Sequence, residues 1–126
     1  MKTAQDLVAA AKANINEVPV AAAEAALQAA DVVIDVREAD EYHAGHISGA
    51  INIPRGLLEF RLSNDEALAS RDLNILLYCK TSGRAALSAQ SLTEMGYLHV
   101  TSLSGGIDAW VESGKPVVTP SLPEFD

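Results

Sequence analysis

The sequence predicts an α/β fold that contains a mostly parallel sheet. Short apolar segments alternate along the 126 residues with longer segments that have the composition of helices, and this alternation is typical of βαβ units. One apolar run, Val32-Val33-Ile34, is flanked by Asp31 and Asp35. Such a continuous run suits a strand that is buried on both faces of a parallel sheet.

The first half of the chain is predicted to form two Ala-rich helices, three strands and a short helical segment. Leu7, Val8 and Ala11 lie on one side of the first predicted helix. The segment around Pro19 breaks that helix, and Pro54 stops the third strand. The predicted elements are a helix over 3–13, a short edge strand within 14–19, a helix over 20–30, a strand over 31–36, one or two helical turns over 38–43 and a strand over 50–54.

The second half is predicted to continue the alternation. A capping signal over residues 63–66 indicates a helix start, and Trp110 is interpreted as an aromatic residue of the core. The predicted elements are two short helices within 55–70, a strand over 75–78, a helix from about 85 to 96, a strand over 99–103 and a helix from 106 to about 113.

Composition and charge limit the classes of function. The net charge of −8 argues against nucleic acid and anionic membranes as partners, because Lys and Arg dominate phosphate binding. No segment has the apolar length of a signal peptide or of a membrane span. A lone cysteine, Cys79, excludes an internal disulfide, a four-thiolate zinc site and a C-x-x-C motif. A reduced, cytoplasmic setting is therefore expected.

The most informative segment surrounds Cys79. An apolar strand over 75–78 runs directly into Cys79-Lys80-Thr81-Ser82-Gly83-Arg84, and a helix is predicted to follow. A strand, a tight polar turn and a helix N-terminus together form a cradle for anions, in which a thiol ionises readily and acts as a nucleophile. The alternative is a small buried hydrophobe; the polar loop that ends in Arg84 favours the reactive thiol.

Other polar residues follow predicted strands, whose carboxyl ends converge at one edge of a parallel sheet. Arg37 could line an anion pocket with Asp35 orienting it, but a structural ion pair between the two is favoured. His43 and His46 are not predicted to bind metal, because Gly45 breaks the helix that would align them. We expect neither a metal nor a cofactor.

Three segments resemble the signatures of rhodanese domains, and the likeness extends over about residues 15–116. The segments are Asp35–Tyr42 continuing into Gly45–Pro54, the loop Tyr78–Arg84, and Gly96–Trp110. The length predicts a single domain over 1–126, in which a helical extension over 1–14 and an irregular tail over 117–126 lie outside the likeness. The resemblance implies a central five-stranded sheet flanked by helices on both faces.

The same resemblance implies a sulfurtransferase. Cys79 would take a sulfane sulfur from thiosulfate or another persulfide donor and pass it, as a persulfide, to a small thiol, cyanide or a protein acceptor. Arg84 would bind the anionic end of the donor. The backbone N–H groups of the remaining loop residues would hold the terminal sulfur, and these residues are Lys80, Thr81, Ser82 and Gly83.

Two alternatives stay open. Some thiol-dependent phosphatases and arsenate reductases share this fold, but they place five residues between Cys and Arg. Here four residues separate Cys79 from Arg84, and the smaller ring suits a single sulfur atom better than a phosphoryl group. The second alternative is a non-catalytic regulatory module, which would show no sulfur loading of Cys79.

Overall fold

A five-stranded parallel sheet organises the chain, in a computed structural model that describes residues 1–120. The strands lie in the order β1-β5-β4-β2-β3, and all four neighbouring pairs are parallel. The strands are β1 (Asn16–Val18), β2 (Val32–Asp35), β3 (Ile51–Asn52), β4 (Asn74–Tyr78) and β5 (His99–Leu103). The predicted α/β class is confirmed.

Within residues 1–120, six α-helices connect and flank these strands. They are α1 (Ala4–Lys12), α2 (Ala23–Ala29), α3 (Ala39–Ala44), α4 (Leu58–Asn64), α5 (Gly83–Glu94) and α6 (Gly106–Glu112). Three 3-10 turns precede or follow them, over Val20–Ala22, Arg55–Leu57 and Glu66–Leu68. Thr3 and Asp6 form a capping box at the start of α1, since each side chain accepts from the other residue's backbone N–H.

Two hydrophobic cores cover the two faces of the sheet. On one face, α4 and α5 bury side chains such as Leu62 and Leu92 against Leu77 of β4. On the other face, α2 and α6 contribute residues including Trp110, which packs with Leu76. Helices thus flank both faces, as expected, and Trp110 is a core aromatic residue.

The structure differs from the sequence-based expectation in several details. Helix α5 begins at Gly83 and not at about 85, and the capping signal over 63–66 starts only the 3-10 turn Glu66–Leu68, which Asp65 caps. The predicted helix over 20–30 begins as a 3-10 turn after Pro19, and the predicted strand over 50–54 shortens to the two residues of β3. The tail was expected to be irregular from 117, yet Val118 forms an antiparallel bridge with His46 through two backbone hydrogen bonds of 2.9 Å. Residues 121–126 of that predicted tail lie outside the described residues.

Membrane insertion was not expected from the sequence. Within residues 1–120, no helix combines the length and the apolar character that a membrane span requires.

Candidate active site

Cys79 lies immediately beyond the carboxyl end of β4, the central strand of the sheet. Its side chain is almost fully buried, at 1% exposure. The backbone N–H of Ala85, in the first turn of α5, donates to its Sγ at 3.4 Å. The strand and the helix therefore hold the thiol at the base of the loop that the sequence singled out.

The loop turns its carbonyl groups toward helix α6. The N–H of Ile107 donates to the carbonyl oxygen of Cys79 at 3.0 Å, and the N–H of Asp108 donates to that of Lys80 at 3.1 Å. Gly106 permits this approach, because a Cβ there would lie 2.5 Å from the carbonyl oxygens of Cys79 and Thr81. From the sequence, Gly106 was predicted only to begin the last helix, and this contact was not predicted.

The amide groups of the loop are left free for a ligand. In the described part of the chain, no group accepts a hydrogen bond from the backbone N–H of residues 80–84. The carbonyls of Cys79 and Lys80 accept from α6, and the N–H of a trans peptide points away from its carbonyl, so the N–H groups of Lys80 and Thr81 point away from that helix. Backbone donors arranged in this way stabilise an anion.

Arg84 closes the loop by pairing with Glu41 of α3. Its Nη1 lies 2.7 Å from Glu41 Oε1, and its Nη2 donates to Oε2 at 3.0 Å. The hydrogen bond with Arg84 lowers the pKa of the Glu41 carboxyl from 4.5 to about 2. Sequence analysis missed Glu41 as a site residue, although it lies within the first of the three family-like segments.

Asp35 and Arg37 form a buried ion pair beside this site. Arg37 Nη2 lies 2.7 Å from Asp35 Oδ2, and the same group donates to the carbonyl oxygen of Gly45 at 2.7 Å. Asp35 is fully buried and Arg37 is 6% exposed. The donors of Arg37 thus hold the segment that leads into β3, and the geometry resembles the structural ion pair that the sequence favoured.

Two lysines flank the outside of the loop. Lys80 is exposed and its Nζ donates to Asp108 Oδ2 at 2.7 Å. Lys12 reaches the loop from α1, where its Nζ donates to Ser82 Oγ at 2.8 Å and lies 3.7 Å from Glu17 Oε2. Sequence analysis did not assign Lys12 to the site, since 70 residues separate it from Ser82.

Two histidines, His99 and His46, occupy positions away from the Cys79 loop. His99 begins β5 and therefore lies at the opposite end of the strands from Cys79. His46 is buried, its ring stacks on that of Tyr42 with centroids 3.8 Å apart, and its Nδ1 contacts the carbonyl oxygen of Tyr42 at 3.1 Å. These contacts give His46 a structural role at the turn before β3.

Comparisons with known proteins find a matching family model and similar sequences. The family model described as Rhodanese-like domain matches residues 19–113. A protein named sulfurtransferase from Allochromatium vinosum is 32% identical over 89 residues, which cover 71% of this chain and 79% of that protein.

Two solved structures are also similar. One is a protein of unknown function from Rhodopseudomonas palustris, described as a possible tyrosine phosphatase; it is 25% identical, with a TM-score of 0.80 over 94% of this chain and 96% of its own. The other is the 30 kDa polysulfide-sulfur transferase homodimer from Wolinella succinogenes, 32% identical, with a TM-score of 0.74 over 91% of this chain and 86% of its own.

Proposed function

Because the chain belongs to the rhodanese-like domain family, we propose that it is a sulfurtransferase that carries a sulfane sulfur on Cys79. The observation that carries the proposal is the position of Cys79 Sγ, held at 3.4 Å from the N–H of Ala85 beneath a loop of unused amide donors. Relatives named for sulfur transfer support it.

The reaction we propose has two steps. Cys79, as a thiolate, attacks the sulfane sulfur of thiosulfate; the sulfur–sulfur bond of the donor breaks, and sulfite leaves with the electron pair. An acceptor thiolate or cyanide then attacks the outer sulfur of the Cys79 persulfide, whose sulfur–sulfur bond breaks and returns the thiolate. Since the persulfide waits for a second substrate, ping-pong kinetics are expected.

The loop residues have distinct roles in this proposal. The N–H groups from Lys80 to Arg84, with Thr81, Ser82 and Gly83 between them, surround the outer sulfur and stabilise its negative charge. Arg84 adds positive charge at the mouth of the loop. Its Nη1 and Nη2 are directed at Glu41, so its contact with the donor would use the remaining N–H groups or follow a shift of the pair.

Asp35 and Arg37 act as structural residues next to the site. Their buried ion pair positions the backbone between β2 and β3, next to the strand that carries Cys79. We propose no cofactor or metal for the reaction, because thiol and persulfide chemistry need neither. A reducing compartment such as the cytoplasm would keep the single cysteine free for the cycle.

A second candidate function is phosphatase or arsenate reductase activity. The structural similarity to the protein described as a possible tyrosine phosphatase is the observation that favours testing it. The loop of four residues between Cys79 and Arg84 counts against it, since a tetrahedral phosphoryl group presents three equatorial oxygens to the amides. A regulatory module without turnover is the remaining alternative.

The test is intact mass spectrometry after treatment with thiosulfate. The native protein should gain one sulfur, and cyanide or a thiol should remove it. Cys79→Ser is the matched variant, because it removes the thiol and keeps a side chain of similar size. An adduct that persists in Cys79→Ser, or aryl phosphate turnover by a native protein that never loads sulfur, would overturn the proposal.

A further inference from the structure

A groove runs along helix α1 where the helix contacts the outside of the Cys79 loop. Its volume is about 420 Å³, and residues 81–83 form the wall on the loop side. The helix contributes small apolar side chains, among them Val8 and Ala9, and ends in Lys12. Helix α1 lies outside the segment matched by the family model, which begins at residue 19, so one wall of the groove lies outside that match.

Lys12 and Ser82 present hydrogen-bond donors to this groove. An ammonium group can only donate, so Ser82 Oγ accepts from Lys12 Nζ across their 2.8 Å contact. Among the described residues the Ser82 hydroxyl accepts from Lys12 and donates to no acceptor, so its hydrogen stays available for another partner. The Lys12 side chain keeps 34% exposure, which leaves its charge accessible.

The three cations around the loop, Lys80, Arg84 and Lys12, differ in their distance from the nearest carboxylate. Lys80 and Arg84 each hydrogen-bond a carboxylate at 2.7 Å. Glu17 lies 3.7 Å from Lys12, which is beyond hydrogen-bond distance. Lys12 is therefore the cation of the three that can most easily take a new carboxylate.

We propose that this groove binds the acceptor, a small thiol that carries a carboxylate. Lys12 and the Ser82 hydroxyl hold the carboxylate, and the wall around Val8 and Ala9 covers the carbon chain. A volume near 420 Å³ is typical of sites for small organic molecules and exceeds what an inorganic donor requires. The inference rests on the proposed function, since it names the acceptor for the Cys79 persulfide.

Residues 81–83, which line the groove, belong to the loop that begins at Cys79, and in this proposal the acceptor sulfur reaches the persulfide from that side. The acceptor thiolate attacks the outer sulfur of the persulfide and forms a new sulfur–sulfur bond. The bond between that sulfur and Cys79 Sγ breaks, and its electron pair stays on Sγ as the thiolate. The acceptor leaves as a persulfide. Its carboxylate, which binds Lys12, takes no part in the reaction.

A matched pair of thiols tests the inference. The kcat/KM for discharge of the persulfide is measured with 3-mercaptopropionate, which has a carboxylate, and with neutral 2-mercaptoethanol. In Lys12→Gln the ratio of kcat/KM for 3-mercaptopropionate to kcat/KM for 2-mercaptoethanol should fall about fivefold, which is the effect expected from losing a partly exposed ion pair. Glu17→Gln should raise the ratio, because it removes the competing carboxylate, and Lys12→Arg should preserve it.

Lys2→Gln is the control for net charge, since Lys2 is exposed near the same helix, and it should leave the ratio unchanged. An equal loss with both thiols, or an unchanged ratio in Lys12→Gln, would overturn the inference and leave sulfur loading as the separate test of the proposed function.

A binding measurement keeps the inference testable even if thiosulfate does not load the protein. The unloaded chain is titrated with 3-mercaptopropionate and followed by amide NMR. Shifts at residues 8–12 and 81–83 that Lys12→Gln abolishes are expected. Shifts that persist in this variant, or none in the native protein, would contradict the proposed groove.

Discussion

Arg84 and Glu41 form a two-point ion pair that fastens the end of the Cys79 loop to helix α3. The two contacts, at 2.7 and 3.0 Å, use both terminal nitrogens of the guanidinium against both carboxylate oxygens. This geometry limits the directions in which the loop can move. It also places a negative charge beside the group that was expected to bind an anionic donor.

Removing the charge of Glu41 should loosen the loop. We expect Glu41→Gln to lower the free energy of unfolding by about 1 kcal/mol, as for a partly exposed ion pair, and to alter KM for thiosulfate by freeing Arg84. Urea denaturation and steady-state kinetics measure the two effects. Asp40→Asn is the matched control, because Asp40 is an exposed acid in the same helical turn; a similar result in both variants would contradict the assignment.

The stabilising effect of Glu41 should depend on pH in a defined window. Its folded-state pKa is about 2, below the ordinary value of 4.5, so the stabilisation is complete above pH 4.5 and is lost as the pH falls toward 2. The free energy of unfolding of the native protein and of Glu41→Gln should therefore converge over this range. A difference between the two that stays constant from pH 6 to about 2 would contradict it.

Arg84 should contribute to the use of anionic donors. Arg84→Ala should lower kcat/KM for thiosulfate about tenfold, because a charge-assisted contact is lost in a partly exposed site. In the same variant, the rate of alkylation of Cys79 by neutral iodoacetamide should fall by a smaller factor than kcat/KM for thiosulfate. Arg61→Ala, at an exposed arginine of α4, is the control. Unchanged kinetics with thiosulfate would show that Arg84 only holds the loop in place.

Gly106 should tolerate no side chain. In Gly106→Ala the new Cβ meets three carbonyl oxygens of the loop at 2.5 to 2.6 Å. We expect a loss of about 2–4 kcal/mol in the free energy of unfolding, from overpacking and from the positive φ, with weaker sulfur loading. Gly114 also has a positive φ, but a Cβ there would meet no atom within 4 Å. Gly114→Ala therefore measures the cost of the backbone conformation alone. Equal losses of unfolding free energy in the two variants would argue against the close contact.

The length of the loop should set the chemistry. Inserting one Gly after Ser82 enlarges the ring between Cys79 and Arg84, so sulfur transfer should fall and weak binding of phosphate or arsenate should become measurable. Paired assays with thiosulfate and an aryl phosphate compare the variant with the native protein. A Gly inserted after Gly114, in the turn that follows α6, controls for the insertion itself. Undiminished sulfur transfer by the enlarged loop would show that ring size does not matter.

Much of the site could be predicted because its parts are neighbours in the chain. The strand before Cys79, the polar loop and helix α5 are contiguous, and the anion cradle consists of backbone N–H groups that any sequence with this local conformation presents. The alternation of apolar strands with helices likewise follows from local periodicity, which is why the α/β class was correct.

Side-chain partners distant in sequence could not be predicted in this way. Glu41 lies 43 residues from Arg84, and Lys12 lies 70 residues from Ser82. Neither spacing carries a periodic signal, and both pairs depend on which elements the sheet brings to the same edge.

The sequence by itself determined the fold class, the thiol and the loop around it. The tertiary structure decided the strand order β1-β5-β4-β2-β3, the ion pair of Arg84 with Glu41, the contact of Gly106 with the loop carbonyls, and the covering of the loop by α1. The physical reason is that local conformation depends on neighbouring residues, whereas these contacts form only when parallel strands align their carboxyl ends and the helices pack over them.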